Sequence, residues 1–370
     1  MMTPAVNLLW CSPGRVGGSE QYLVRQLLGL PDDALAALGT PTLYCVPAFA
    51  EAHPELDDRF ELVAAPIGGD RRPVRVAAEH TWLARRTREH SLVHHGGGTV
   101  PAFGGTPVVL TIHDLQYETF PEYLHPLKLR YLRAAMPRSV ARADVIAVPT
   151  DYVKQTVVDQ FGVSPDIVYV VPHGVEPDLG ASAPGADALR TRYSLGDGPI
   201  VVLPAITHPH KGHRFLLDVL ARHWTDPGLR LVLLGGRGSA DDAVEASIDD
   251  LGLRSRVVRP GRVSDGDRDG LIRLADALVF PSEYEGFGAP VVEAMALGTP
   301  VVCSDQAAVA EVVGDAGLVL PLDADAWSTA LDEVDRRRDE LVAAGHRRAL
   351  DFTAERSGAA LADVYREVLA

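Results

Sequence analysis

The stretch Phe280-Pro-Ser-Glu-Tyr-Glu-Gly-Phe-Gly-Ala-Pro-Val-Val-Glu-Ala-Met-Ala-Leu-Gly-Thr-Pro-Val-Val-Cys-Ser304 decides the fold. Leu278-Val279-Phe280 is a short apolar run, the end of a buried strand. Pro281 to Gly288 is a loop rich in glycine and serine. Pro290 sits where a helix tolerates proline best, in its first turn. Val291 to Leu297 suit a helix, and Gly298 closes it as a C-terminal cap. Val301-Val302-Cys303 is the next buried strand. The order is strand, glycine loop, short helix, strand. A glycine loop feeding a helix N-terminus presents backbone N–H groups to an anion, and phosphate or pyrophosphate is the natural guest.

Two carboxylates frame that loop, Glu285 at its start and Glu293 in the first turns of the helix. A carboxylate repels phosphate but accepts well from sugar hydroxyls. Amides for phosphate and carboxylates for hydroxyls suit a nucleotide sugar. Taken alone, Glu285 reads equally as a solvated loop residue and Glu293 as a charge near the positive helix end.

The pattern Pro-Ser-x-x-Glu-Gly-Phe-Gly-x-Pro-x-x-Glu-Ala-Met-Ala-x-Gly-x-Pro-Val-Val resembles the signature of the retaining glycosyltransferases of family 4. The resemblance implies an α/β chain of GT-B fold, two Rossmann-like doubly wound domains facing each other across a cleft. It implies an acceptor domain over 1–178, with the C-terminal helix 353–370 packing back onto it. It implies a nucleotide-sugar donor domain over 186–352. The linker falls at Gly180 to Gly185, where Gly and Pro184 interrupt the pattern.

Length and composition agree with two packed domains: 370 residues, 46 % hydrophobic and 23 % charged. A net charge of −15 disfavours non-specific nucleic-acid binding, which needs basic surface. Cys11, Cys45 and Cys303 are few and far apart, so reduced core cysteines in a cytoplasmic protein are expected. The apolar run Val6 to Trp10 is too short for a signal peptide and reads as the first strand. No run reaches the roughly 20 apolar residues of a membrane span.

The first half alternates strands and helices, as a mainly parallel sheet requires. After the first strand comes Cys11-Ser-Pro-Gly-Arg-Val-Gly-Gly-Ser19, a glycine loop without the Gly-x-Gly-x-x-Gly spacing, which argues against a nicotinamide dinucleotide. Gly17 and Gly18 are candidates for close backbone approach to the donor, with a plain tight turn as the other reading. His113 lies at the end of the strand Val108 to Ile112, where open α/β sheets bind ligands. Thr-Ile-His-Asp-Leu resembles the family segment whose histidine contacts the donor sugar. Asp114 is expected to orient that loop. His94, His95 and Gly96 to Gly98 are expected to line the acceptor side. The basic residues Arg71 to Arg88 and Lys128 to Arg138 read either as solvated helix faces or as a weak peripheral contact with anionic lipid at the inner face of the membrane.

In the second half, Lys211 sits in a loop after the strand Pro199 to Leu203, placed to meet a phosphate as a point charge. Family members commonly carry an arginine six residues earlier. This chain has Ala205 there, which reduces a two-cation clamp to Lys211, with Thr207, His208, Arg214 or the helix dipole as compensation. The turn Pro260-Gly-Arg-Val263 matches the one that touches the nucleobase in the family, which makes Arg262 a candidate contact. His208, His210 and His213 also invite a zinc reading, but no carboxylate or cysteine lies near them in sequence.

The resemblance implies a metal-independent hexosyltransferase with no cofactor, moving a sugar with retention from a nucleotide diphosphate to a hydroxyl of a glycan, lipid-linked or small-molecule acceptor, in glycan, cell-envelope or glycolipid synthesis. The residues carried over are His113, Glu285 and Lys211 for catalysis. For the donor they are Gly17, Gly18, Thr207, Lys211, Arg262, Glu285, Gly286, Phe287, Gly288 and Glu293. The segments around His113 and Lys211 lean towards mannose from GDP-mannose. A GT-B nucleotide-sugar epimerase and a non-catalytic nucleotide-sugar-binding partner are the alternatives. The Gly-Phe-Gly-x-Pro-x-x-Glu pattern argues against the first, and Ala205 favours the second.

Overall fold

A computed structural model of the chain describes residues 2–13, 18–105 and 107–370. It divides into two compact units. The first comprises Met1–Gly174 and Thr353–Ala370, the second Val175–Phe352.

Among the described residues of the first unit, a seven-stranded sheet runs in the order β3-β2-β1-β4-β5-β6-β7. Its strands are β1 Ala5–Leu8, β2 Thr42–Cys45, β3 Glu61–Ala64, β4 Val93–His95, β5 Val108–Thr111, β6 Val145–Val148 and β7 Val168–Val170. Every pairing is parallel. The interior strands are buried along their whole length, as a sheet covered on both faces requires. The edge strand β3 stays partly exposed and begins with Glu61.

The second unit carries a six-stranded parallel sheet in the order β10-β9-β8-β11-β12-β13. Its strands are β8 Ile200–Pro204, β9 Arg230–Leu234, β10 Val257–Gly261, β11 Ala277–Phe280, β12 Val301–Ser304 and β13 Leu318–Leu320. Pro260 is tolerated in β10 because that strand lies at the sheet edge, where a missing N–H breaks no interior ladder. Both sheets reverse their winding direction once, between β1 and β4 and between β8 and β11. These are the topological switch points at which doubly wound sheets hold ligands. Cys11, Cys45 and Cys303 are buried free thiols.

Two expectations are corrected. The segment Gly180 to Gly185 is part of the second unit rather than a linker: Gly180 N–H donates to Asp269 Oδ2 at 3.0 Å, and Arg273 reaches the Gly180 carbonyl. The chain passes from one unit to the other at Gly174/Val175 and again at Phe352/Thr353. The polar stretch after β13 forms three helices, Ala324–Trp327, Ala330–Arg336 and Arg338–Ala349. Trp327 turns into the core there, and its backbone carbonyl accepts from Trp224 Nε1.

The C-terminal helix Ala354–Leu369 belongs to the first unit. Leu361, Ala362, Val364 and Tyr365 complete the core above β1 and β5, and the helix packs on Gly18–Leu28. The approach is close because of two glycines. A Cβ on Gly358 would stand 2.0 Å from the Gly29 carbonyl carbon, and one on Gly29 would stand 1.8 Å from the Ala354 oxygen. Backbone atoms cannot rotate aside as a side chain can. Gly358→Val is therefore expected to destabilise the first unit by about 1–3 kcal/mol or more. Chemical unfolding read on that unit would check it, and an unchanged midpoint would contradict the close packing.

Candidate active site

In the second unit, the loop after β8 and the loop after β11 leave adjacent strands at the switch point. They approach closely at Gly212, which has φ +69°. A Cβ there would stand 2.0 Å from the Pro281 oxygen, so any other residue would push the loops apart. The Glu283 N–H donates to the His210 carbonyl at 2.7 Å and stitches the loops together. Through this contact Lys211 Nζ reaches Glu285 Oε1 at 2.6 Å, with the two side chains 20 % and 12 % exposed. Two residues 74 positions apart form one half-buried ion pair at the strand ends.

Gly288, at φ 88°, is the N-cap of the nine-residue helix Ala289–Leu297, and Pro290 lies in the first turn. The cap provides no side-chain acceptor, so the helix start is compatible with an anion. Gly298 ends the helix in the left-handed region, φ 79°. Phe287 differs from a ligand-facing reading of its side chain. The ring is 3 % exposed and packs edge-on against Phe352 at 5.4 Å, so only its backbone is offered to a donor.

Glu293 is 7 % exposed, not a solvated charge. The charge of Arg268, on the helix Asp265–Leu274, acts on it through space. Burial alone would lower the Arg268 pKa, but Glu293, Asp269 and Asp265 together hold it above the ordinary value. Arg268 also pairs with Asp269 at 2.8 Å. No sequence spacing announces Arg268, because its partners come from a different helix as well as its own.

Thr207 is buried, and its hydroxyl is committed within the protein. It donates to Asp241 Oδ1 at 2.9 Å and accepts from Gly238 N–H at 2.7 Å. It thus ties the β8 and β9 loops together and borders a pocket of about 450 Å³. Ala205, Gly235, Arg259 and Pro260 line the same pocket. Arg262 is exposed and is not among the lining residues. The cations found there are Arg237 and Arg259, both paired with Asp241, and Arg259 also with Glu245. Arg259 lies within β10, whereas Arg262 lies beyond its last residue, Gly261. Sequence spacing missed Arg259 because its partners lie on the helix Asp241–Asp250. Arg214 is exposed, and His208 shares a hydrogen bond with Ser239 Oγ at 3.2 Å. Among the described residues, no three His, Cys, Asp or Glu side chains gather to hold a metal ion.

In the first unit, Gly17 lies outside the described residues. Gly18 opens the helix Gly18–Leu28, and among the described residues a Cβ there would meet nothing within 4 Å. His113 follows β5. Its Nε2 donates to the Gly96 carbonyl at 2.8 Å, so the neutral ring carries its proton there and Nδ1 is an acceptor. That Nδ1 is buried with no hydrogen-bond partner among the described residues. Burial pushes the His113 pKa below the usual imidazole value, partly countered by the Gly96 carbonyl and Asp114. Trp10 and Tyr22 hold the ring with centroids at 5.7 and 5.4 Å. Asp114 Oδ1 accepts from the Gln116 N–H at 2.9 Å, a loop-orienting bond.

His94 and His95 do not line an acceptor surface. Both are in β4, an interior strand, and are 0 % and 4 % exposed. His94 bonds Tyr365 Oη at 2.8 Å and Thr111 Oγ1 at 2.7 Å, and His95 bonds Asn7 at 3.1 Å. Both are core histidines satisfied by neighbours.

Two parallel doubly wound units, the second with a lysine–glutamate pair and a glycine-capped helix at its switch point, define a chain of the GT-B class. The comparisons agree. Residues 16–179 match the family described as Glycosyltransferase Family 4, and residues 189–346 match Glycosyl transferases group 1. O-antigen chain mannosyltransferase B of Escherichia coli is 32 % identical over 253 residues, 67 % of this chain and 65 % of that protein. The MMP alpha-(1->4)-mannosyltransferase of Mycolicibacterium hassiacum is 30 % identical over 311 residues, 78 % of this chain and 73 % of that one. The matched stretch thus spans about two thirds to three quarters of these two relatives. The crystal structure of Anabaena HepE with UDP and glucose shares the fold, with a TM-score of 0.76 at 18 % identity over 99 % of this chain and 100 % of that chain. The chain belongs to glycosyltransferase family 4. Among the described residues, no helix is long and apolar enough to cross a membrane.

Proposed function

We propose that the protein transfers a hexose, mannose from GDP-mannose being the favoured pair, from a nucleotide diphosphate to an acceptor hydroxyl in cell-envelope or other glycan synthesis. The configuration at the anomeric carbon is retained and no metal is used. The observation that carries this reading is the Lys211–Glu285 pair at the switch point of the second unit. An ammonium has three donors. Lys211 can keep Glu285 and still meet a diphosphate oxygen, where negative charge grows as the bond to the sugar breaks. The start of the helix Ala289–Leu297 adds partial positive charge.

In this reading, Glu285 accepts from donor-sugar hydroxyls and stabilises a cationic ring. Glu293, on which the Arg268 charge acts, accepts from the ribose hydroxyls. The neutral His113 offers Nδ1 to a sugar hydroxyl. The bond from the anomeric carbon to the diphosphate oxygen breaks, and the bond to the acceptor oxygen forms on the same face. The acceptor proton passes to the leaving phosphate oxygen. The mannosyltransferase relatives support the choice of sugar.

A thermal-shift panel of GDP-, UDP-, dTDP- and ADP-sugars tests the donor site. A ligand at 100 times its Kd stabilises the native state by about 2.7 kcal/mol. GDP-mannose is expected to raise the Tm of the wild type, and Glu293→Ala is expected to abolish the shift. The reading fails if no nucleotide at millimolar concentration moves the wild-type Tm.

A further inference from the structure

A second pocket, of about 540 Å³, lies wholly within the first unit. It opens between the helix Arg72–Ala78 and the start of the helix Pro126–Val140. Its size falls in the range of small-molecule sites. Val76, Ala77 and Leu127 supply an apolar wall, and Arg72, Lys128 and Tyr131 complete it. Three features point to one kind of occupant.

The first feature is a pair of cations without counter-ions. Among the described residues, neither Arg72 nor Lys128 has a carboxylate at ion-pair distance. The carboxylates each feels, Glu79 for Arg72 and Asp114 for Lys128, act only at longer range. Burial, then the Arg75 charge, pushes Arg72 below the usual guanidinium value. The Lys128 side chain stays open to solvent, yet crowding by protein atoms and the Arg72 charge push its ammonium down too. The pressure of the Arg72 charge on the Lys128 ammonium is relieved by an anion between them.

The second feature is the setting of the guanidinium. Arg72 Cζ lies 4.6 Å from the centroid of the Tyr131 ring. That stacking immobilises the planar fork, which matches phosphate geometry with two parallel donors.

The third feature is apolar surface beside the charge. Leu127, which lines the pocket, is 73 % exposed, one of the few large apolar side chains left in water among the described residues. Exposed apolar surface of this kind, beside a polar anchor, marks a binding site. The occupant therefore has one anionic end and one hydrocarbon end.

We propose that this pocket binds the phosphate of a hydroxyl-bearing amphiphilic phosphate ester, with the phosphate between Arg72 and Lys128 and the hydrocarbon against Val76, Ala77 and Leu127, and that a headgroup hydroxyl of this ester is the sugar acceptor. The inference rests on the glycosyltransferase reading and names the acceptor class for it. A chain of net charge −15 is repelled by an anionic membrane as a whole, which favours a single lipid-like molecule over a bilayer surface.

The test is calorimetric titration of the full chain with n-decyl phosphate below its micelle concentration. Decanol, inorganic phosphate and vesicles of phosphatidylglycerol in phosphatidylcholine are run in parallel. Decyl phosphate is expected to bind at least about 10-fold more tightly than decanol or inorganic phosphate. Arg72→Gln and Lys128→Gln are each expected to weaken it about 10-fold or more, the effect of losing one charge-assisted contact. Arg85→Gln, an exposed basic position outside the pocket, is expected to leave binding unchanged. Equal weakening by Arg85→Gln would show general charge attraction and overturn the site. Vesicle binding without binding of monomeric decyl phosphate would assign the patch to a membrane and overturn it equally. A GDP-induced Tm shift in the wild type separates the two readings. Nucleotide binding without decyl phosphate binding sinks this inference alone. Decyl phosphate binding without nucleotide binding removes the acceptor assignment together with the function.

Discussion

Lys211→Ala is expected to lower kcat for sugar transfer by about 10²–10³-fold, the usual cost of removing one preorganised donor from a developing oxyanion. The loss has a structural component as well. Glu285 is only 12 % exposed in its side chain, and without the ammonium 2.6 Å away it is left as a half-buried charge. Removing one partner of such a pair destabilises far more than removing both. The double variant Lys211→Met with Glu285→Leu separates the two effects. Its stability is expected to return towards that of the wild type, because no unpaired charge remains. Its activity is expected to stay lost, because neither diphosphate nor sugar hydroxyls find their partners. Glu285→Gln alone keeps the shape of the side chain but removes its charge, and is expected to reduce kcat more than it raises KM for the donor. Steady-state kinetics beside melting curves would decide. A Lys211→Ala enzyme within threefold of the wild type in kcat would remove lysine from the mechanism.

From pH 6.5 to about 4.5, the first unit is expected to lose about 5 kcal/mol of stability through His94 and His95 together. Burial holds both at about 3, with the charges of His113 on His94 and of His94 and Arg142 on His95 acting in the same direction. An unfolded histidine takes up its proton near pH 6.5. Between those values the unfolded chain binds protons that the native chain refuses, so falling pH favours unfolding. More than about one pH unit above 6.5 both states are neutral and this pH dependence vanishes. In the second unit, burial likewise holds His210 at about 3 and His213 at about 4, so it loses stability in the same window. His53 acts in the opposite sense. Burial alone would lower its pKa, but hydrogen bonds with Glu20 and Glu55 raise it, so its contribution is present at low pH and lost as pH rises through the folded value. Urea unfolding across this range would give the slope. His94→Gln is expected to reduce that slope by about 1.4 kcal/mol per pH unit, one proton fewer. A slope unchanged by the substitution would mean that His94 is already charged in the native state.

Much of the architecture was legible in the chain because it depends on local chemistry. The apolar runs at Val108 to Ile112, Val145 to Val148 and Val301 to Cys303 could be read as strands, since a sheet covered on both faces needs unbroken β-branched residues. Gly298 could be read as a helix end because a left-handed cap favours glycine. Errors came where a short segment answered to distant partners. Gly180 to Gly185 has the composition of a linker, but Asp269 and Arg273 anchor its first residue to the second unit. His94 and His95 stand before a glycine run, as ligand-facing histidines would, but Tyr365, Thr111 and Asn7 bury them.

The chain alone determined two α/β domains, a glycine loop ahead of the helix Ala289–Leu297, and family membership, because each rests on residues contiguous in sequence. Only the tertiary structure decided which charges meet. Lys211 reaches Glu285 because two loops leave neighbouring strands at the reversal of the sheet. Glu293 finds Arg268, and Arg259 rather than Arg262 enters the β8–β10 pocket. Tyr365, near the end of the chain, closes the core of the first unit against His94. Electrostatic and packing partners are chosen by distance in space, and strand order, which sets those distances, is not written in any one segment.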